Sequence, residues 1–194
     1  HLVTVINTPK ANAQSVAEYT IGCFLTCCKR LIEGRELYCA GKDNKKLYQK
    51  PEDLNGKILG VVGAGNVSTR IMEYGNFFGM KVLCWTAHPE KHEDIKALGV
   101  EFVEINELAK LADCISVNLP NNDGTKNLIS KKIISSMKNR CTFVSVSRLD
   151  TVDYLTLFEK AKENPGFYVC LDLDVNKDVI ETLPHISNVI VTPH

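Results

Sequence analysis

The sequence predicts an α/β protein: a doubly wound, mostly parallel sheet of about seven strands, preceded by a long N-terminal helix. Three observations predict it. Short apolar runs alternate with amphipathic segments from Lys57 to the end of the chain. The runs lack clean apolar–polar alternation, as strands covered on both faces do. A Gly-x-Gly turn joins the first run to the first amphipathic segment. Such a strand–helix alternation closes through right-handed crossovers into a parallel sheet.

Taken in order, "HLVTVINTPK" (1–10) reads as a strand and turn. Ala13 to Leu31, "AQSVAEYTIGCFLTCCKRL", reads as one helix. Val16, Ala17, Ile21, Phe24, Leu25, Cys28 and Leu31 cover most of its circumference, so it is expected to be buried on more than one side. Residues 33–56 are polar and turn-rich ("GKDNKK", "PEDLNG") and read as an arm or long loop. Strands are expected near 57–62, 81–85, 101–103, 114–118, 141–146, 167–172 and 189–191, with helices near 66–78, 90–98, 105–112, 130–137 and 151–163. The whole, 1–194, reads as one domain, with 13–50 as helix and arm and 57–194 as the core.

Charge narrows the function classes. Lys+Arg and Asp+Glu both number 23, which leaves no basic field for nucleic acid or an anionic membrane surface. No apolar run is long enough to span a bilayer, and no signal peptide is visible. Most of the eight cysteines sit inside apolar runs, where a reduced thiol acts as a small hydrophobe; a cytoplasmic protein is expected. Cys23 and Cys27 stand four apart on a helix, but no His or Cys cluster completes a shell, so no metal is expected.

The turn "GVVGAGNVSTR" (60–70) lies where a Rossmann-type site needs it, after "KILGVV" and before an apolar helix. Gly63 allows the tight turn; Gly65 lets the backbone approach a pyrophosphate on the helix N-terminus, at Asn66 and Val67. The third glycine of the fingerprint is replaced by Ser68, a small packing change. The second strand, "KVLCW", should end in an acid that bonds a ribose 2′-OH. Thr86 stands there instead, with His88, Lys91 and His92 beyond. An acid would repel a 2′-phosphate, a charge pair at about 4 Å being worth roughly 4 kcal/mol at an effective dielectric of 20. Its absence permits either NAD or NADP and tips the expectation slightly towards NADP.

Several separated segments together resemble one family, the D-isomer-specific 2-hydroxyacid dehydrogenases. They are "NTPKANAQSVAEY" (7–19), "LNGKILGVVGAGNV" followed by "FGMKVLCW", "ELAKLADCISVNLPNNDGTKNLIS" (107–130), "MKNRCTFVSVSRLDTVD" (137–153) and "NVIVTPH" (188–194). The resemblance runs through the chain in the right order and implies a cofactor-binding domain whose substrate domain lies outside these residues. It implies hydride transfer between a nicotinamide and a small 2-hydroxy or 2-oxo acid, such as glyoxylate, hydroxypyruvate or a D-hydroxy acid. Carried over residue by residue, Arg148 holds the substrate carboxylate and His194 is the acid/base. Leu119, Pro120, Thr125 and Val146 flank the cofactor, and Asp172 contacts its carboxamide. It also implies a homodimer formed through residues 13–50.

The chain departs from the family pattern at five functional positions. Ser68 and Thr86 are two. Leu149 stands where glycine is usual after the arginine, and Ser145 where asparagine is usual before it. The glutamate that partners the histidine falls on Lys177, leaving Asp178 or Asp174 to replace it. The alternative is therefore a dinucleotide-sensing or scaffolding module, co-repressor-like, on the same fold. An aspartate from 174–178 within reach of His194 would favour the enzyme.

Overall fold

The computed structural model describes residues 11–42, 50–174 and 187–194; the strand and turn expected at 1–10 lie outside them. In chain order the elements are α1 (Ala13–Cys28), α2 (Leu31–Cys39), β1 (Ile58–Val62), α3 (Asn66–Phe77), β2 (Lys81–Trp85), α4 (Glu93–Lys96), β3 (Glu101–Phe102), α5 (Ile105–Leu111), β4 (Cys114–Val117), α6 (Lys131–Ser136), β5 (Thr142–Ser145), α7 (Tyr154–Glu163), β6 (Tyr168–Leu173) and β7 (Val189–Pro193). The seven strands form one sheet in the order β3-β2-β1-β4-β5-β6-β7, and every pair is parallel. This is the doubly wound fold expected from the alternation.

Both faces of the sheet are covered, which is why its strands read as unbroken apolar runs. On one face Ile115, Phe143 and Val169 pack against Leu108, Ile133, Ile134, Leu157 and Phe158 of α5, α6 and α7. On the other, Leu59, Val61 and Val144 pack against Ala17, Phe24, Ile71 and Met72 of α1 and α3.

The structure corrects two expectations. The N-terminal helix is not continuous to Leu31: it ends at Cys28, and Arg30 adopts a left-handed conformation with φ 54°. Arg30 is buried, stacks over the Tyr168 ring at 4.9 Å and donates to the Tyr168 hydroxyl. This long-range contact to the sheet accompanies a break between the two helices that local periodicity does not show. Part of the expected arm is also helical, as α2, and none of its residues is buried.

Asp113 ties the starts of two central strands together. Its backbone N–H donates to the Ile58 carbonyl at 2.8 Å, and its carboxylate accepts the Ile58 N–H at 2.9 Å and the Lys138 ammonium at 2.7 Å. Burial alone would push the Asp113 carboxyl up, but Lys138 and the Ile58 N–H outweigh it and hold the group below its ordinary range. A carboxyl lowered by folding contributes stability that is present above its unfolded pKa and is lost as pH falls through the folded value. Asp113→Ala is therefore expected to cost about 1–2 kcal/mol at neutral pH. Urea unfolding should show that difference shrinking as the pH falls below about 4, near the ordinary aspartate value.

Candidate functional site

The strand order reverses between β1 and β4, so a crevice opens beyond their carboxyl ends, where doubly wound sheets bind ligands. Gly63 forms its floor. Its φ is +107°, its N–H donates to the Trp85 carbonyl at 2.8 Å, and a Cβ there would stand 2.5 Å from the Asn118 carbonyl oxygen. Asn118 is itself held where β4 ends, its N–H donating to Val62 at 2.9 Å. Gly65 is extended and caps α3; a Cβ built on it would meet nothing within 4 Å.

Two adjoining clefts occupy the crevice. One, of about 300 Å³, is lined by Gly65, Asn66, Val67 and Ser68 and, across from them, by Asn12, Ala13 and Asn118. Among the described residues no side chain caps the start of α3, which leaves its first N–H groups and the positive end of its dipole to face an anion. The turn thus fits the phosphates of a dinucleotide: an uncapped helix start behind a residue with no Cβ. The second cleft, of about 560 Å³, is lined by Arg148, Leu149, Asp150 and Asp174 among others. Leu119, Pro120, Val146, Asp172 and His194 line both.

His194 follows β7, and its N–H donates to the Leu173 carbonyl at 2.9 Å, which extends the parallel pairing and fixes the ring beside β6. Its Nδ1 lies 3.0 Å from Asp172 Oδ2. An ionised carboxylate only accepts, so Nδ1 carries the hydrogen in this contact and Nε2 remains for other partners. Asp172 is largely buried and Thr192 Oγ1 lies 3.5 Å from its other oxygen. Arg148 lies just beyond β5, exposed, and pairs with Asp174.

The structure therefore brings Gly65, Asn66, Val67, Leu119, Pro120, Val146, Arg148, Asp172 and His194 to one crevice, with Gly63 beneath it. Thr86 and Thr125 line neither cleft. Thr86 Oγ1 lies 3.5 Å from the His88 N–H. The Thr125 hydroxyl donates to the Pro120 carbonyl at 2.6 Å and accepts the Asn122 N–H at 3.1 Å, folding its own loop. Asp174, one of the two acids offered as a partner for His194, pairs with Arg148 instead. Asp178 and Lys177 lie outside the described residues. Among the described residues the carboxylate that meets His194 is Asp172, for which a different contact was expected.

Sequence reasoning missed Ser147. Its buried hydroxyl accepts the Leu119 N–H at 2.7 Å and donates to the Val117 carbonyl at 3.1 Å, pinning the Leu119–Pro120 wall to the sheet. The alternation "SVSR" was the available signal, two small polar residues flanking Val146 where β5 gives way to a loop.

The comparisons with known proteins bear on the fold and the family. Residues 21–194 match the model of the D-isomer-specific 2-hydroxyacid dehydrogenase NAD-binding domain. A hydroxypyruvate reductase of Thermotoga maritima is 32% identical over 197 residues, covering 99% of this chain and 62% of the relative. Among solved structures, a D-lactate dehydrogenase from Aquifex aeolicus, complexed with NAD and lactic acid, is 30% identical with TM-score 0.82, over 94% of this chain and 59% of that one. An acyclic imino acid reductase in complex with NADPH and D-arginine is 25% identical with TM-score 0.82, over 94% of this chain and 57% of that one. The chain thus spans about three fifths of the length of such relatives. It belongs to the D-isomer-specific 2-hydroxyacid dehydrogenase family, as that family's NAD-binding domain.

Proposed function

We propose that this domain, within its full-length protein, reversibly reduces a small 2-oxo acid to the 2-hydroxy acid, with NADP slightly preferred to NAD. The observation that carries the reading is the meeting of Arg148, Asp172 and His194 in one cleft that adjoins the glycine turn.

The gathered residues divide the work. Arg148 offers a planar fork of donors matched to a carboxylate. Its present pair with Asp174 is exposed on both sides, a kind of contact worth about 0–1 kcal/mol, so a substrate carboxylate exchanges with it at little cost. Asp172 holds the His194 ring through Nδ1, which leaves Nε2 to give a proton to the carbonyl oxygen in reduction and to take it back in oxidation. A bound nicotinamide supplies or accepts the hydride. The lean to NADP rests on Thr86, which puts no carboxylate after β2 to repel a 2′-phosphate. Titration of the full-length protein with NADH and NADPH, followed by a 2-oxo acid panel, tests the assignment.

A second reading, a dinucleotide sensor or scaffold, draws on the engagement of Arg148 by Asp174. It separates from the first by tight cofactor binding without turnover on any acid of the panel.

The protein also forms a homodimer through 13–50 and works in the cytoplasm. The dimer is supported by Leu31, Ile32 and Tyr38 of α2, which are 58%, 40% and 86% exposed on a helix that buries nothing. Among the described residues no helix is long and apolar enough to cross a membrane. Sedimentation equilibrium at micromolar concentration is expected to give twice the chain mass; a monomer would refute the dimer.

A further inference from the structure

Among the described residues, Ser68 Oγ is the one buried side-chain oxygen or nitrogen with no hydrogen-bond partner. Ser68 is fully buried in the first turn of α3, yet belongs to the wall of the cleft formed by Gly65, Asn66 and Val67. Its Oγ stands 3.5 Å from the place a Cβ on Gly63 would take, so the hydroxyl faces the glycine turn. Two independent features thus point at the same space: a helix N-terminus without a side-chain cap, which attracts an anion, and a buried donor with no acceptor among the described residues.

Packing alone does not explain a hydroxyl here. A buried polar group without a partner is destabilising, and alanine or glycine would fill the same seam without that cost. An acceptor oxygen arriving on the α3 N-terminus removes the penalty. We propose that Ser68 is a phosphate ligand of this chain: its hydroxyl donates to a pyrophosphate oxygen of the bound dinucleotide, adding a side-chain donor to the backbone amides of the turn. The serine in place of the third glycine is then a gain in phosphate recognition. This rests on the dinucleotide-binding reading above and adds one residue to it.

The test uses the full-length protein and its Ser68→Ala and Ser68→Gly variants. NADH and NADPH affinities are read by nicotinamide fluorescence, ADP-ribose affinity by calorimetry, and Tm with and without saturating ligand. Loss of one donor to a charged acceptor is expected to weaken all three ligands about tenfold. Without ligand, the Tm of Ser68→Ala should hold or rise, because the orphaned hydroxyl is gone, while the rise in Tm on ligand addition shrinks. If alanine perturbs the turn, Ser68→Gly gives the same reading with the smaller residue. Affinities of both variants within twofold of wild type overturn the inference and leave the functional reading standing. Failure of the wild type to bind any of the three overturns both.

Discussion

His194→Gln, made in the full-length protein, is expected to lower kcat for 2-oxo acid reduction by about 10²–10⁴-fold, the usual worth of a positioned general acid. Glutamine can still reach toward Asp172 but has no ring nitrogen to hand on a proton. The Asp172 carboxylate sits 3.0 Å from Nδ1 and so directs the other nitrogen, Nε2, away from itself. Cofactor affinity should stay within about twofold, because the α3 N-terminus and the Gly65 approach are untouched; one RT of free energy is a factor of about three. KM should change far less than kcat, since the substitution leaves Arg148, the proposed partner of the substrate carboxylate, in place. Pre-steady-state and steady-state rates with NADH and NADPH measure this. Turnover within threefold of wild type would remove His194 from the chemistry.

Gly63→Ala carries the largest expected effect on stability. At φ +107° an L-residue is strained by about 1–3 kcal/mol. The added methyl would also stand 2.5 Å from the Asn118 carbonyl oxygen, a backbone atom that cannot rotate away. Moving it means parting the ends of β1 and β4, an overpacking cost of about 1–3 kcal/mol. The sum, about 2–6 kcal/mol, is a large part of the 5–15 kcal/mol that holds a typical domain folded. Urea denaturation should show it, or the variant should fail to accumulate as folded protein. A loss below 1 kcal/mol would mean that the turn relaxes freely and is not a fixed floor for the crevice.

The sheet was legible because its signal is redundant. The central strands β1, β4 and β5 are short apolar runs buried along nearly their whole length, and a helical segment stands in each of the five connections from β1 to β6, so several independent signals point to one topology. The break at Arg30 was not legible: Leu31 continues the apolar pattern of α1, and Tyr168, whose ring Arg30 covers, lies far along the chain. At the site, residues fixed by the backbone came through. Gly63, Gly65, Arg148 and His194 occupy places set by strand ends and turns, and strand ends were easy to locate. Which carboxylate meets which cation was not legible. Asp172 and Asp174 are two apart on and just past β6, and only the register of β6 with β7 brings Asp172 to His194 and leaves Asp174 to Arg148. Ser68 shows the same limit: its identity could be read as a packing change, whereas its unpartnered hydroxyl exists only in three dimensions.

The central claim is that this crevice binds a nicotinamide dinucleotide and reduces a 2-oxo acid through Arg148. The most direct measurement is titration of the full-length protein with NADH and NADPH, then turnover on glyoxylate, hydroxypyruvate and pyruvate beside Arg148→Ala. Saturable cofactor binding is expected, NADPH at least as tight as NADH, with turnover on one or more of the acids. In the variant kcat/KM is expected to fall about 30- to 1,000-fold, the roughly 2–4 kcal/mol of a lost guanidinium–carboxylate pair at a reacting centre. Equal turnover by wild type and variant, or the absence of cofactor binding, would contradict the central claim.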